Sequence, residues 1–352
     1  MPKKQAVFIG AGAIAREHII ALKSMDNIEI EAVCDLSPAR AQSAAERHGI
    51  AKWFTDHAEM LKQTNADFVH VTTPPQSHVA LARTCLEAGR NVICEKPIAG
   101  SYDEFLGLKA IARSKSLLLF ENHNYLCHSS VLKIDQMLGS GELGDLVEVQ
   151  IQVHMDIHGP GSAFMDPNVP HYTARLRGGV VGDFITHMSY LTLHYLGRAE
   201  AAQTLWQRRS PDASQPDDEF RALVKGQSGV AYLSFSGNCE PSGFWVKVIG
   251  SKGEVEANLF EPPRLAIRRQ RGGPKPLATL RDGLAEGRQI ASGSLRGLYR
   301  KFSGTARYDG LGPFLARCYA ALDAPGTASP SIDSIDDSCR LIERLFSEAS
   351  GK

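Results

Sequence analysis

The chain has 352 residues and a hydrophobic content of 43%, which suits two domains with folded cores and argues against a disordered chain. Its 39 Lys and Arg residues balance 39 Asp and Glu residues, so no global field attracts nucleic acid or an anionic membrane, and neither is predicted as a partner. Seven widely spaced cysteines without a CxxC pair predict a reduced, cytoplasmic protein, and no apolar run reaches the roughly 18 residues of a membrane span.

The first predicted strand, residues 6–9, leads directly into the motif G-x-G-x-x-A of Gly10, Gly12 and Ala15. A helical pattern follows the motif directly. A glycine motif of this kind indicates nucleotide binding only when it lies between a strand and a helix, as it does here. Gly10 permits the tight turn, and Gly12 lets a pyrophosphate approach the N-terminus of the helix, where free N–H groups favour an anion. The motif therefore predicts dinucleotide binding, with an ordinary βα turn as the alternative.

The second predicted strand, residues 28–34, ends at Asp35. A carboxylate about twenty residues beyond the glycine turn accepts hydrogen bonds from the adenosine ribose and repels a 2′-phosphate. We therefore predict NAD as the cofactor, with NADP as the weaker alternative. Arg40 lies close enough in sequence to reduce this preference.

Strands and helices continue to alternate as far as residue 124, which predicts a parallel sheet with helices on both faces. The predicted helices span 38–48, 56–63, 79–88 and 101–114, and the predicted strands span 67–71, 91–94 and 117–120.

The strand over 91–94 ends at a charged segment, because Glu95, Lys96 and Pro97 follow it directly. Pro97 cannot donate to a sheet and biases Lys96 towards an extended conformation. A cation is thereby held at the carboxyl edge of the sheet, where open α/β folds bind their ligands. The alternative is a surface lysine at the end of a strand.

The pattern changes near residue 144, after a predicted helix over 131–138. Residues 146–155 alternate as a strand with one polar face, and closely spaced strand-like runs follow between residues 199 and 267. Their spacing predicts an open, mostly antiparallel sheet, one face of which could form an interface. The predicted strands are 146–155, 201–206, 220–224, 230–235, 244–249 and 254–258. Two helices, 312–322 and 332–347, close the chain.

A helix is predicted between these strands, from Asp183 to Gly197. Asp183, His187, Tyr190 and His194 fall on one stripe of it, at a glycine-rich entrance. This stripe favours a functional site. The alternative is that Asp183 caps the helix and His187 is a satisfied core histidine.

Several of these motifs occur in a characteristic order. They are the glycine motif, Asp35, the T-T-P-P-Q-S-H segment at 72–78, Glu95-Lys96-Pro97, residues 121–125, and Gly178-Gly179 followed by Asp183 and His187. In this arrangement the chain resembles the Gfo/Idh/MocA oxidoreductase family over nearly its whole length. The pairing of E-K-P with G-G-x-x-x-D-x-x-x-H is the most specific part of the resemblance.

The resemblance implies a fold of the α/β class. It places a Rossmann domain with a doubly wound parallel sheet at 1–124, and a substrate-binding α+β domain at 125–352 whose final helices are free to pack back on the first. The implied activity is NAD-dependent hydride transfer between nicotinamide and a secondary alcohol or ketone of a sugar, polyol or nucleotide-linked sugar. The open sheet implies a homo-oligomer, either a dimer or a tetramer.

The resemblance also implies that Lys96, Asp183 and His187 are catalytic. Histidine titrates near neutral pH, so His187 is expected to act as general base in oxidation and as acid in reduction. Asp183 is expected to orient the imidazole, and Lys96 to stabilise the developing alkoxide.

Further residues are expected to bind the cofactor or the substrate. The cofactor-binding residues are Gly10, Gly12, Ala13, Ile14, Asp35, Arg40, Thr72, Thr73, Pro74, His78, Glu95, Lys96 and Asn122. The substrate-binding residues are Tyr125, His158, His171 and Tyr172. Two positions depart from the family pattern: Leu126 replaces a frequent Arg, and Tyr190 replaces an Asp often found three residues after the helix His.

Other interpretations stay open. Four histidines, at 154, 158, 171 and 187, match no closed zinc pattern, so no metal is predicted. The basic insertion at 262–310, with a short helix near 295–302, is either a solvated or subunit-covering face or a rim for a sugar. That sugar would be phosphorylated, nucleotide-linked or a membrane-borne polyprenyl-linked one. Alternative functions are an NAD-dependent glycosidase of the same family and a non-catalytic dinucleotide-sensing regulator.

Overall fold

The computed structural model describes residues 3–159, 162, 164, 171–210, 216–261, 265–269 and 308–347, together with positions 280, 283, 284, 287, 288, 291, 292 and 295. The chain divides into two compact units: residues 1–124 with 311–340, and residues 125–310 with 341–352. Among the described residues, none of the helices combines the length and apolar character needed to cross a membrane.

In the first unit the described strands form one parallel six-stranded sheet, with the order β3-β2-β1-β4-β5-β6. The strands are β1 (Lys4–Ile9), β2 (Ile28–Cys34), β3 (Lys52–Phe54), β4 (Phe68–Val71), β5 (Asn91–Cys94) and β6 (Leu119–Glu121). The order reverses between β1 and β4, so ligands are expected beyond the carboxyl ends of these two strands. The predicted Rossmann sheet is confirmed.

In the second unit the described strands form a seven-stranded sheet, with the order β13-β12-β11-β7-β10-β9-β8. They are β7 (Leu146–Asp156), β8 (Ala199–Gln207), β9 (Glu219–Gly226), β10 (Gly229–Ser236), β11 (Asn238–Gly250), β12 (Gly253–Asn258) and β13 (Leu265–Arg269). Only β7 and β10 pair in parallel; the other described pairs are antiparallel. This confirms the predicted, mostly antiparallel second sheet.

The helices of the described residues are α1 (Ala13–Lys23), α2 (Pro38–His48), α3 (His57–Gln63), α4 (His78–Glu87), α5 (Tyr102–Ser114), α6 (Ser129–Gly139), α7 (Gly179–Leu196), α8 (Leu311–Ala320) and α9 (Ile332–Ser347). The first unit contains α1 to α5, α8 and the first part of α9, which is divided between the units after Arg340. The second contains α6 and α7.

Strand β7 shows why one face of the second sheet is covered. Its alternate residues Val149, Ile151 and Val153 are completely buried and belong to a core that also contains residues of α7, such as Ile185 and Leu191. This alternation is the period-2 pattern of a strand with one buried face.

Four elements differ clearly from the sequence predictions. Strand β11 begins at Asn238, six residues before the predicted start at residue 244. Helix α7 begins at Gly179, four residues before the predicted start at Asp183, so Asp183 does not cap it. Strands β3 and β13 were not predicted as strands: β3 has only three residues, and β13 lies in the segment interpreted as an inserted loop. The predicted helix near 295–302 and most of the basic insertion lie outside the described residues.

Candidate active site

The glycine turn between β1 and α1 lies against the end of β4. Gly10 has a φ of +101°, and a Cβ there would lie 2.7 Å from the carbonyl oxygen of Thr72, so glycine is required. The Thr72 hydroxyl donates to the carbonyls of Ile9 and Gly10, at 3.1 and 3.0 Å. A Cβ on Gly12, the N-cap of α1, would meet open space. The turn therefore fits the pyrophosphate of a dinucleotide approaching the N-terminus of α1.

Asp35 connects this turn to the start of α2. Its carboxylate accepts hydrogen bonds from the backbone N–H groups of Ala11 and Ser37, both at 2.9 Å. Those bonds fix the carboxylate beyond the end of β2, where an adenosine ribose is expected.

A basic groove of about 440 Å³ lies between α1 and α2. Arg16, Arg40 and Arg47 line it together with His48. Burial and the charges of Lys23, Arg47 and Arg16 lower the pKa of His48, which shows that the local field is positive. Positive charge attracts the 2′-phosphate of NADP, so this field opposes the preference for NAD that Asp35 predicts.

The Glu95-Lys96-Pro97 turn is fixed before Lys96. The backbone N–H of Glu95 donates to the carbonyl of Val71 at 2.9 Å. The Glu95 carboxylate accepts from His18 Nε2 at 2.8 Å and from Asn122 Nδ2 at 2.6 Å. Burial alone would raise the pKa of Glu95, but the hydrogen bond and the charge of His18, the hydrogen bond from Asn122 and the charge of Lys96 lower it. Glu95 is therefore a carboxylate, and the charge of Lys96, the next residue, acts on it.

The same turn is also fixed after Lys96. The Pro97 carbonyl oxygen lies 2.7 Å from His78 Nδ1, while His78 Nε2 lies 2.8 Å from the carbonyl oxygen of Thr73. The backbone N–H of Ile98 donates to Glu121 at 2.8 Å. The backbone on both sides of Lys96 is thus held by buried groups, which favours a fixed position for its ammonium.

His187 lies on α7 in the second unit and is 7% exposed. Its Nδ1 lies 2.7 Å from the Tyr190 hydroxyl. The Tyr125 ring packs against the imidazole edge to face at 4.8 Å, and the Phe184 and Phe244 rings lie 6.2 and 6.3 Å away. The imidazole is therefore fixed through Nδ1 within aromatic surroundings.

Asp183 lies one turn before His187 on α7 and is also buried. The Tyr172 hydroxyl donates to its carboxylate at 3.1 Å. Burial, with Tyr308 and Asp183 nearby, raises the pKa of Tyr125 well above its ordinary value. The structure thus brings two predicted substrate residues, Tyr125 and Tyr172, together with the two predicted catalytic residues of α7.

The other two predicted substrate residues lie in different surroundings. The ring of His171 packs against Tyr172 at 4.3 Å, and its Nδ1 lies 2.8 Å from the Thr173 hydroxyl. His158 is at the end of β7, where Asp218 Oδ2 lies 2.9 Å from its Nε2. His171 therefore adjoins the group around Asp183, whereas His158 pairs with a carboxylate at the end of the second sheet. Across the described residues, no cluster of three or more His, Cys, Asp or Glu side chains could hold a metal ion.

Sequence reasoning missed several residues of this site. His18 and Glu121 hold the turn around Lys96, and His123 Nε2 lies 2.7 Å from Glu121. His18 occupies a buried position in the helical pattern of α1, and a polar residue at such a position requires a partner. A polar residue in the buried pattern of α1 was therefore the sequence signal that His18 makes a hydrogen bond. The sequence does not identify the residue that His18 contacts.

A Rossmann sheet with a glycine turn at its switch point defines a dinucleotide-binding protein. Two family models match the chain: "Oxidoreductase family, NAD-binding Rossmann fold" over residues 4–123, and "GFO/IDH/MocA C-terminal domain" over residues 131–256. The chain therefore belongs to the Gfo/Idh/MocA family of oxidoreductases, which confirms the resemblance found in the sequence.

The chain is similar to known proteins over different parts of its length. D-apiose dehydrogenase of Paraburkholderia graminis is 29% identical over 140 residues, which are 40% of this chain but only 37% of that enzyme. The dTDP-3,4-didehydro-2,6-dideoxy-alpha-D-glucose 3-reductase of Saccharopolyspora spinosa is 28% identical over 75% of this chain and 79% of its own. The WlbA dehydrogenase of Bordetella pertussis, solved with NADH and UDP-GlcNAcA, superposes with a TM-score of 0.76 at 18% identity, covering 99% of this chain and 96% of that one. This superposition supports the fold.

Proposed function

We propose that the protein transfers a hydride between the nicotinamide of NAD(H) and a secondary alcohol or ketone of a sugar, polyol or nucleotide-linked sugar. Two relatives are named for reactions on D-apiose and on a dTDP-linked sugar, and WlbA was solved with NADH and a UDP-linked sugar. These names support the substrate class. Asp35 supports NAD in preference to NADP.

The observation that carries this proposal is the 2.7 Å contact between His187 Nδ1 and the Tyr190 hydroxyl. When Nδ1–H of the neutral imidazole donates to the Tyr190 hydroxyl oxygen, Nε2 is the nitrogen that accepts a proton. Histidine is the side chain best matched to proton transfer near neutral pH. His187 therefore has the fixed orientation that a general acid or base requires.

Bound NAD would supply the acceptor for the hydride that leaves the alcohol carbon. His187 takes the hydroxyl proton on Nε2 in the oxidative direction and returns it in reduction. Lys96 stabilises the negative charge that develops on the alcohol oxygen, and Glu95 balances the lysine charge. Asp183, held by Tyr172, contributes a carboxylate near the acid–base group.

The proposal predicts the effect of removing the imidazole. Purified His187→Ala protein should lose roughly 10²-fold or more in turnover, the usual size of an acid–base contribution, and should still bind NADH. Turnover is measured from NADH absorbance with a panel of sugars, polyols and nucleotide-linked sugars. Fluorescence titration measures NADH binding.

The matched control is His194→Ala, because His194 is an exposed histidine of the same helix that pairs with Asp135. This control should retain activity. Unchanged turnover in His187→Ala would exclude His187 from the chemistry. Cleavage of a glycoside without net NADH formation would favour the glycosidase alternative.

We also propose that the protein is a homo-oligomer that associates through the open face of the second sheet. Leu205, Leu223 and Val230 are 58%, 52% and 42% exposed there. They lie on three neighbouring strands, and exposed apolar side chains on one face of a sheet support an interface. A cytoplasmic location remains a prediction from the cysteine usage.

A further inference from the structure

The basic groove between α1 and α2 reaches the glycine turn, because Ala11 and Gly12 are among the residues that line it. Arg16 lines the groove from α1, and Arg40 and Arg47 line it from α2. None of the described residues that line it is acidic. The groove is therefore a cationic surface next to the expected pyrophosphate site.

The positive charge of the groove is not neutralised by neighbouring side chains. In the part of the chain that the structure describes, neither Arg16 nor Arg40 has a hydrogen-bond or ion-pair partner for its guanidinium. Arg47 donates to the Ser43 hydroxyl at 3.3 Å, and a hydroxyl carries no charge. Guanidinium groups that share a groove without a carboxylate repel one another, and a bound anion would offset this cost.

The electrostatics of His48 indicate the same positive field. This partly exposed histidine lines the groove next to Arg47. Burial lowers its pKa, and the charges of Lys23, Arg47 and Arg16 lower it further. A field that disfavours an additional positive charge attracts an anion.

Asp35 connects the expected ribose site to this groove. Its Oδ2 accepts a hydrogen bond from the N–H of Ala11, and its Oδ1 accepts one from the N–H of Ser37, both at 2.9 Å. Ser37 is the N-cap of α2, and its hydroxyl accepts from the N–H of Arg40 at 3.4 Å. A ribose held by Asp35 would therefore lie close to the first turn of the helix that carries Arg40.

The 2′-substituent of this ribose determines which charges act on it. A 2′-hydroxyl donates to Asp35, whereas a 2′-phosphate carries a charge of about −1.5 to −2 at neutral pH and is repelled by the carboxylate. Asp35 contributes one negative charge, and the three arginines of the groove contribute three positive charges. The two backbone N–H groups that donate to Asp35 also offset part of its charge. The sum is positive, so the site does not exclude a phosphate.

We infer that the groove is a subsite for the 2′-phosphate of NADP(H), so that the protein binds NADPH as well as NADH. Arg40 is the main specificity-determining residue, because Ser37 joins the start of its helix to Asp35, and Arg16 contributes from α1. Guanidinium groups bind phosphate through paired, charge-assisted hydrogen bonds. The inference rests on the proposed function for the identity of the ligand as a nicotinamide dinucleotide.

Adenosine 2′,5′-bisphosphate and adenosine 5′-monophosphate test the subsite without turnover. Each is titrated against NADH bound to the purified protein, and the NADH fluorescence reports displacement. At low salt the bisphosphate should compete as well as the monophosphate, or within about tenfold of it, because the arginines offset the repulsion from Asp35. An advantage of the monophosphate larger than this would overturn the inference.

Arg40→Gln tests the residue that carries most of the inference, because it removes one positive charge and keeps a long polar side chain. The variant should weaken NADPH binding about tenfold more than NADH binding, since only NADPH has the phosphate that loses a charge-assisted hydrogen bond. Arg16→Gln should change the ratio of the two dissociation constants in the same direction. The ratio removes effects that both ligands share, such as a weaker attraction for the pyrophosphate. An unchanged ratio in Arg40→Gln would overturn the inference.

Arg83→Gln is the matched control. Arg83 is an exposed arginine of α4 in the first unit and is not among the residues that line the groove. The substitution lowers the net charge by the same amount, so the ratio should equal that of the wild type. An equal change in Arg83→Gln and Arg40→Gln would show a general effect of net charge and would overturn the subsite. Circular dichroism verifies that each variant is folded.

Salt gives a second test of the cationic subsite. Exposed charges are screened as the ionic strength rises, so NADPH binding to the wild type should weaken more steeply with added potassium chloride than NADH binding. In Arg40→Gln the two salt dependences should become more similar. Equal salt dependences in the wild type would contradict the subsite.

The inference and the proposed function fail separately. Binding of NADH with more than about tenfold weaker binding of NADPH at low salt would overturn the inference and leave the proposed function in place. The expected binding ratios, without hydride transfer to any compound of the substrate panel, would contradict the proposed function and support the subsite.

Discussion

The proton-transfer role of His187 depends on the residue three positions further along α7. The family often has an aspartate there, whereas this chain has Tyr190, whose hydroxyl lies 2.7 Å from His187 Nδ1. A neutral hydroxyl orients the imidazole, but it does not stabilise the imidazolium as a carboxylate would. Tyr190 therefore orients His187 without placing a negative charge on Nδ1.

Two substitutions at Tyr190 test this reasoning. Tyr190→Phe should lower kcat about tenfold, because an unheld imidazole loses orientation. Tyr190→Asp should move the pH at which His187 loses its proton upward, since a carboxylate favours the charged imidazole. Rate profiles against pH measure both effects.

Ser189→Ala is the control for these variants. Ser189 is the buried neighbour of Tyr190, and its hydroxyl has no hydrogen-bond partner among the described residues. The rate profile of Ser189→Ala against pH should match that of the wild type. A Tyr190→Asp profile identical to that of the wild type would show that Tyr190 does not govern the ionisation of His187.

At the residue scale, sequence motifs are better at identifying residues that contact ligands than at identifying the residues that hold them in place. Lys96 follows a predicted strand and precedes a proline, so its place at a sheet edge can be inferred locally. His18 pairs with Glu95 across 77 positions of the chain. Local patterns carry no information about such a pair, because it depends on how α1 packs on the sheet.

Helix α9 shows how one element is held in place within the first unit. Asp336 on α9 accepts hydrogen bonds from Lys109 Nζ at 2.9 Å and from the Tyr102 hydroxyl at 2.8 Å, both on α5. Burial alone would raise the pKa of Asp336, but Lys109, Tyr102 and the charge of Arg340 lower it. The carboxylate therefore stabilises the packing of α9 on α5.

Asp336→Asn should lower the free energy of unfolding by about 1–3 kcal/mol at neutral pH, the usual cost of weakening hydrogen bonds to a charged group. Because folding lowers the pKa of Asp336, its contribution is present above the unfolded value of about 3.9 and is lost as the pH falls through the folded value. Urea unfolding at pH 7 and in the acid range measures the difference. A difference that persists in acid would contradict this assignment.

At the element scale, the accuracy of the sequence predictions follows from local chemistry. Helix α2 has the predicted bounds, because Ser37 caps it, Pro38 is its first residue and Gly49 adopts the left-handed conformation after it. Helix α7 has glycines at its entrance instead of a side-chain cap. A Cβ on Gly182 would lie 2.0 Å from the carbonyl oxygen of Arg177, a close approach that sequence cannot indicate, and so the predicted start was four residues late.

At the scale of the whole molecule, the two units contribute different chemistry to the proposed reaction. The first unit supplies Lys96, which directly follows the buried Glu95 after the end of β5. The second holds an imidazole on α7 within aromatic surroundings. The chain returns to the first unit for residues 311–340, which include Tyr319. The C-terminal part of the chain thereby supplies the Tyr319 hydroxyl, which lies 2.9 Å from His70 Nε2 on β4.

The open face of the second sheet gives the last prediction. Leu223 on β9 lies opposite Tyr232 on β10 and Gln203 on β8, near the centre of the strands that carry the exposed leucines. Light scattering during gel filtration should show a dimer or tetramer for the wild type. Leu223→Glu should shift it towards the monomer, because a charge buried without a partner in an interface is costly. Leu106→Glu, at an exposed leucine of α5 in the first unit, should leave the mass unchanged. A monomeric wild type, or a Leu223→Glu variant of unchanged mass, would exclude this face as the interface.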